Sequence, residues 1–143
     1  MRTWHDFHLI GYTVDGKRQE LSFELEWPSE SETDIRHAKV CFSGVECYYL
    51  EHDLGVNIVY SIEEAPLSAH LEEWTDRFET ECKYGWPKFW RPRPYPPQPV
   101  AVVRDEALAL LSNKNVKCFY LSTSYGLSGW VLAIGIQHLT IEA

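Results

Sequence analysis

Between positions 20 and 27 apolar and polar residues alternate without a break. Leu21, Phe23, Leu25 and Trp27 fall on one side of an extended chain, and Ser22, Glu24 and Glu26 on the other. Successive side chains of a strand point to opposite faces, so this pattern predicts a strand with one face on a core and one in water. Residues 7–14 precede it across Asp15-Gly16, a dipeptide whose tolerance of positive φ predicts a tight hairpin turn. Pro28 ends the second arm, and a polar, acidic connection leads to Ala38.

Further on, residues 40–42 and 45–50 are apolar stretches separated by Ser43-Gly44, and 57–62 is β-branched after a turn over 51–55. Pro66 suits a first helical position, and Leu67, Leu71, Trp74 and Phe78 recur behind it at helical spacing. Glu72, Glu73, Asp76, Glu79 and Glu81 occupy the opposite side, which predicts one amphipathic helix over 66–83, terminated near Gly85. A short helix is expected over 105–113, with Asn113 as a left-handed cap. Residues 116–122 and 129–137 are apolar on both faces and read as central strands joined by a turn at 124–128. The expected architecture is α+β: a largely antiparallel sheet of about six to seven strands, with one long and one short helix on one face.

The chain has 143 residues, 45% of them hydrophobic, which fits one globular domain over 1–143 with a sizeable core. A net charge of -8 argues against wholesale binding to nucleic acid or anionic membrane. No export signal is read at the start and no run reaches the roughly 18 apolar residues of a membrane-spanning helix. Cys41, Cys47, Cys82 and Cys118 are scattered among apolar neighbours, as reduced core thiols are, so a cytoplasmic location is expected, with neither disulfide nor structural metal.

Signatures of chemistry are few. Gly16-Lys17 lacks the glycines and the following Ser or Thr of a phosphate loop, and Gly126-Leu127-Ser128-Gly129 misplaces the second glycine of a nucleophile elbow. Cys41 and Cys47 lie too far apart for a zinc knuckle. His5, Asp6 and His8, with His52 and Asp53, are the clusters that could hold a metal or act as base and orienter if the fold joined them; otherwise they are turn and strand residues. No catalytic residue, metal ligand or cofactor is assigned, and a non-enzymatic protein is favoured.

The segment 83–99 is different in kind. It holds Pro87, Pro92, Pro94, Pro96, Pro97 and Pro99 together with Tyr84, Trp86, Phe89, Trp90 and Tyr95. Extended to Arg104 it carries five basic and no acidic residues, which leaves -13 on the remainder. Two readings stand. In one, the aromatics cover an open sheet face and the basic groups meet the acidic helix. In the other, the segment is a partner-binding surface with Trp86, Trp90, Arg91, Arg93 and Tyr95 as anchors, since aromatic and Arg residues are enriched at interface centres. An acidic protein suits it better than nucleic acid, which the -13 elsewhere would repel.

Trp4-His5-Asp6-Phe7-His8-Leu9, the hairpin, then residues 38–47 with Phe42-Ser43-Gly44-Val45, and Asn57-Ile58-Val59-Tyr60 resemble small bacterial β-rich cytoplasmic proteins classed among the immunity proteins of polymorphic-toxin systems. The resemblance covers about residues 4–62. It implies an inhibitor that binds a cognate toxin and has no catalytic residues of its own. The sequence-level alternatives are a small enzyme using a His/Asp cluster and a single-stranded nucleic-acid binder using the basic aromatic loop.

Overall fold

The computed structural model describes residues 4–28, 35–93 and 97–142. Among these residues eight strands form one sheet: β1 (His8–Asp15), β2 (Glu20–Glu26), β3 (Ile35–Ser43), β4 (Cys47–Glu51), β5 (Asn57–Ala65), β6 (Lys117–Tyr125), β7 (Ser128–Ala133) and β8 (Gly135–Glu142). Their order is β4-β7-β6-β5-β1-β2-β3-β8, and every pairing is antiparallel. The count exceeds the six to seven expected because the stretch 129–137 is two strands bent at Ile134.

That bend closes the sheet. β4 continues β3 past Gly44, and β8 continues β7 past Ile134. The two bent strands stay paired through the corner: Ile134 N–H donates to the Ser43 carbonyl at 3.0 Å, and Glu46 N–H to the Leu132 carbonyl at 2.8 Å. The ring β1, β2, β3/β4, β7/β8, β6, β5 is therefore a six-stranded antiparallel barrel. Gly44 makes the corner: its φ is +60°, and a Cβ there would lie 2.7 Å from Ile134 Cδ1.

Inside the barrel lie Leu9, Leu21, Phe23, Leu25, Val40, Phe42, Val59, Ile62, Phe119, Leu121, Val131 and Ala133, with Trp4 and Phe7 in the same cluster. The alternation of β2 holds: Leu21, Phe23 and Leu25 are buried and Glu24 is exposed. The hairpin holds too, but its loop is Gly16–Gln19. The positive φ falls on Gln19 (55°), while Asp15 Oδ1 accepts hydrogen bonds from the amides of Lys17 and Arg18. An Asx-type cap at Asp15 thus does the work expected of Gly16.

A second core lies on the outside of β4, β6 and β7, where Cys47, Cys118, Trp130 and Leu132 point away from the barrel. As central strands, β6 and β7 have both faces covered, as their continuous apolar sequence predicts. The cover is helical: α1 (Leu67–Glu73), α2 (Thr75–Glu81), a 3₁₀ turn (Cys82–Tyr84) and α3 (Val100–Asn113). The expectation of one long and one short helix is corrected in two places. First, the helix over 66–83 is interrupted at Trp74 (φ -95°, ψ 6°), where Thr75 Oγ1 donates to the Leu71 carbonyl at 2.7 Å. Such hydroxyl back-bonding to i−4 bends a helix. Leu71 and Phe78 remain buried, while Trp74 is half-buried.

The second correction is that α3, expected to be short, is the longest helix at 14 residues. It starts directly behind Pro99, whose φ of -59° fits the entry to a helix. Its left-handed cap is Asn115 (φ 63°) and not Asn113. Val116 N–H reaches the Leu111 carbonyl and Asn115 N–H that of Ser112, a Schellman closure in which Leu111 and Val116 share the second core.

Candidate functional site

The structure gives the anchors proposed in the Trp/Pro segment mostly structural positions. Trp90 is 1% exposed, packs on Phe78, and donates its indole N–H to Glu79 Oε2 at 2.8 Å. Its expected place on an exposed binding surface is corrected: the ring is too large and apolar to be left in water, and Glu79 satisfies its only polar atom. Phe89 is likewise buried against Phe78. Arg91 clasps Glu106 (2.6 Å) and Gln98 (2.8 Å), and Arg93 pairs with Glu79 at 2.8 Å. Arg104 reaches Thr75 Oγ1 at 3.4 Å. Of the five basic groups on which a nucleic-acid interface would rest, Arg91 and Arg93 thus pair with carboxylates of α3 and α2 within the same molecule. Tyr95 lies outside the described residues.

Trp86 and Lys88 have a different surrounding. Trp86 is half-buried against Phe78 and Trp130, and its remaining face lines a groove of about 630 Å³. One wall of this groove is the tip of the β1–β2 hairpin, with Val14, Asp15, Gln19 and Glu20. The other carries Arg77 and Glu81 of α2 with Trp86 and Lys88. β4 runs along the floor. Among the described residues it pairs with β7 on one side only, so past Val45, whose amide bonds to the Gln19 carbonyl, its other edge opens into the groove.

Alternation along β4 sends Tyr48 and Leu50 towards the barrel interior and Cys47 and Tyr49 towards the second core. Tyr49 therefore meets Trp74 and Trp130, and the Arg77 guanidinium lies 5.1 Å from its ring centroid while bonding Glu81 at 2.9 Å. Glu20 and Lys88, on opposite walls, have no ion-pair partner among the described residues. The groove thus offers an open strand edge, aromatic surface and one uncompensated charge of each sign. Sequence reading did not find it, because its walls come from segments some 70 residues apart and only Trp86 carried a composition signal.

The groove holds no activated nucleophile. Burial pushes the Cys47 thiol up to about 12, so it is protonated at neutral pH. Burial does the same to Cys118, also to about 12. All four cysteines are free thiols.

The two His/Asp clusters use separate local partners. His5 sits 3.4 Å from Asp6 and meets the Tyr60 carbonyl, whereas His52 lies 4.0 Å from Glu51. Asp53 Oδ1 accepts from Gly55 N–H at 2.8 Å and from Asn57 Nδ2, and these bonds hold its carboxyl below the usual range. Trp4, Asp6 and His52 have positive φ, as turn residues do. Among the described residues no group of three or more His, Cys, Asp or Glu is placed to hold a metal ion.

Two residues that composition does not mark organise this side of the molecule. Asn57 is 1% exposed; its Oδ1 accepts from Leu127 N–H (2.8 Å) and Leu54 N–H (3.0 Å), and its Nδ2 donates to the Leu9 carbonyl. One side chain thereby ties β1, the 52–56 turn and the β6–β7 turn, and an added Cβ at Gly126 (φ +100°) would overlap it. His70, also 1% exposed, meets the Tyr120 hydroxyl at 2.5 Å, while its Nε2 has no hydrogen-bond partner. Burial lowers its pKa to about 4. The signal for His70 was present in the sequence, since it sits three residues after Leu67 and four before Trp74, within the apolar stripe.

Among the described residues no helix is long and apolar enough to cross a membrane. No family model, curated protein or solved structure matches this chain.

Proposed function

We propose that this is a non-enzymatic protein-binding protein, in the manner of the toxin-neutralising immunity proteins that residues 4–62 resemble, and that it receives its partner in the groove along β4. The observation that carries this reading is the open β4 edge between a wall bearing Glu20 and a wall bearing Lys88 and Trp86. Unpaired backbone groups on a strand edge can accept an extended segment of another chain. The flanking charges would fix its register, and the aromatic surface would supply apolar contact. Of the anchors expected in the Trp/Pro segment, Trp86 keeps a role in this reading; Lys88 and Glu20 replace Trp90, Arg91 and Arg93.

The experiment is co-expression with the products of the neighbouring genes. The wild type is expected to restore growth of cells producing a toxic neighbour and to co-purify with it. The charge-reversed variant Glu20→Lys/Lys88→Glu is expected to lose about tenfold or more in affinity, with its unfolding midpoint unchanged because both residues are exposed. Undiminished binding by that variant would remove the groove from the interface. If no neighbouring product is toxic or bound, the immunity reading falls.

A further inference from the structure

On the opposite side of the hairpin, β1 pairs with β2 along its whole length but with β5 only at His8 and Leu9. From Ile10 to Val14 its outer edge has no strand partner among the described residues, and the sequence there, Ile-Gly-Tyr-Thr-Val, carries no charge and no proline. Soluble proteins usually blunt such an edge with Lys, Pro or a cover. The only device of that kind in β1 is a bulge between Leu9 and Gly11. Tyr12 lies opposite Phe23 and Val14 opposite Leu21, on the inner face of the sheet; yet Tyr12 is 41% and Val14 44% exposed, while both partners are at 0%. The neighbouring 52–56 turn, fastened to β1 by Asn57, adds Leu54 and Val56, both more than half exposed. Val14 also lines the β4 groove, so four large apolar side chains, Ile10, Tyr12, Leu54 and Val56, belong to this open edge alone.

We propose that this edge is a homodimer interface, in which β1 pairs antiparallel with β1 of a second copy about a two-fold axis near Tyr12 and Thr13. An isologous contact requires a patch complementary to itself, and this one is. About that axis the uncharged residues Gly11, Tyr12, Thr13 and Val14 face Val14, Thr13, Tyr12 and Gly11 of the other copy. The two-fold carries each hairpin tip, with Lys17 and Arg18, past Ile10 of the other copy, because β5 occupies the β1 edge from Leu9 downwards. There each tip arrives at the 51–53 end of the partner's turn, which bears the exposed carboxylates of Glu51 and Asp53. Basic tip and acidic turn therefore meet twice. Pairing also satisfies the free backbone groups of β1 and withdraws Ile10, Tyr12, Leu54 and Val56 from water. β8, which pairs only with β3, has Gln137, His138 and Thr140 along its length and offers no comparable apolar run.

Sedimentation equilibrium of the full chain from micromolar to millimolar protein tests the proposal. The wild type is expected to move from 16.7 kDa towards twice that mass as concentration rises. Tyr12→Lys should weaken association by about tenfold or more by placing a charge on the edge, and Lys17→Glu/Arg18→Glu should weaken it by repelling the acidic turn. Adding Glu51→Lys to the tip variant should recover part of that loss. Circular dichroism confirms that each variant is folded; the tip variants change only exposed residues and keep the comparison valid if Tyr12→Lys does not fold. A monomer at every concentration overturns the proposal, as does a dimer that the tip variant leaves unaltered.

Discussion

The molecule has two cores that share β6 and β7 but are built differently. The barrel interior is filled by aliphatic residues and Phe from strands. The outer core is dominated by rings, with Phe78 in contact with His70, Trp74, Trp86, Phe89, Trp90 and Trp130. Buried side-chain nitrogens without a hydrogen-bond partner occur in both: His70 Nε2 and Trp130 Nε1 in the outer core, and Trp27 Nε1 and His138 Nε2 beside Phe7 and Trp4 of the barrel cluster. A strand-built interior takes its side chains from a regular pleat, so small hydrocarbon units fill it layer by layer. The outer core must instead join two short helices, an irregular proline-rich segment and α3 to a curved sheet surface. Large flat rings can bridge such uneven gaps.

The comparison is tested most severely by Phe78→Ala. Phe78 is fully buried at the centre of six ring contacts, so its removal should cost about 4 kcal/mol or more. Phe23→Ala, which removes one ring partner of Phe42 inside the barrel, should cost about 3 kcal/mol. Chemical unfolding followed by both tryptophan fluorescence and far-ultraviolet circular dichroism measures the difference. Fluorescence reports mainly the outer core, where Trp74, Trp86, Trp90 and Trp130 lie. Should the two signals separate in the Phe78→Ala protein, the cores unfold as distinct units; coincident signals make them one.

Asn57→Leu comes next. It keeps the volume but leaves the amides of Leu54 and Leu127 without their acceptor, for an expected loss of about 2 to 3 kcal/mol by denaturant titration. The effect belongs to the barrel and should leave the fluorescence of the native state unchanged.

A third test uses pH. His70 is neutral in the fold, with its pKa lowered from 6.5 to about 4, so the unfolded chain binds the extra proton first as pH falls. Its contribution is fully present above pH 6.5 and is lost progressively down to about pH 4. Between neutral pH and pH 5 the loss should be about 2 kcal/mol. Equilibrium unfolding of the wild type and His70→Gln over that interval isolates the effect, because the variant should lack that slope. Equal slopes would mean that the outer core tolerates the imidazolium.

The smallest effect is expected from Arg91→Ala. Both members of the Arg91–Glu106 pair are about half exposed, so its removal should cost less than about 1 kcal/mol and fade with added salt. Differential scanning calorimetry at low and high salt measures it.

How much of this was legible in the sequence follows from the range of the forces involved. The alternation in β2, the turn after β1 and the apolar runs of β6 and β7 are local patterns, and each yields its element because the pleat or turn that needs it spans a few neighbouring residues. α1 and α2 were legible as one apolar stripe, but the interruption at Trp74 was not, since it depends on where the Thr75 hydroxyl finds an acceptor. The beginning of α3 was hidden by Val100, Val102 and Val103, whose β-branches argue for a strand until Pro99 is seen to set the entry to the helix.

The six prolines by themselves kept 87–99 from forming an α-helix or a central strand, and the aromatic content of 83–99 offered more apolar area than a loop leaves in water. Only the tertiary structure decided which rings go in, because the choice rests on Glu79 and Glu106 being within reach of Trp90, Arg93 and Arg91 from other elements. Closure of the barrel was beyond the sequence for the same reason. It depends on β3/β4 and β7/β8 bending at the same corner, some 90 residues apart, and no local pattern records a hydrogen bond between Ser43 and Ile134. Hydrophobic periodicity states how each segment will bury itself; the partners it finds are fixed by packing and hydrogen-bond geometry that exist only once the segments meet.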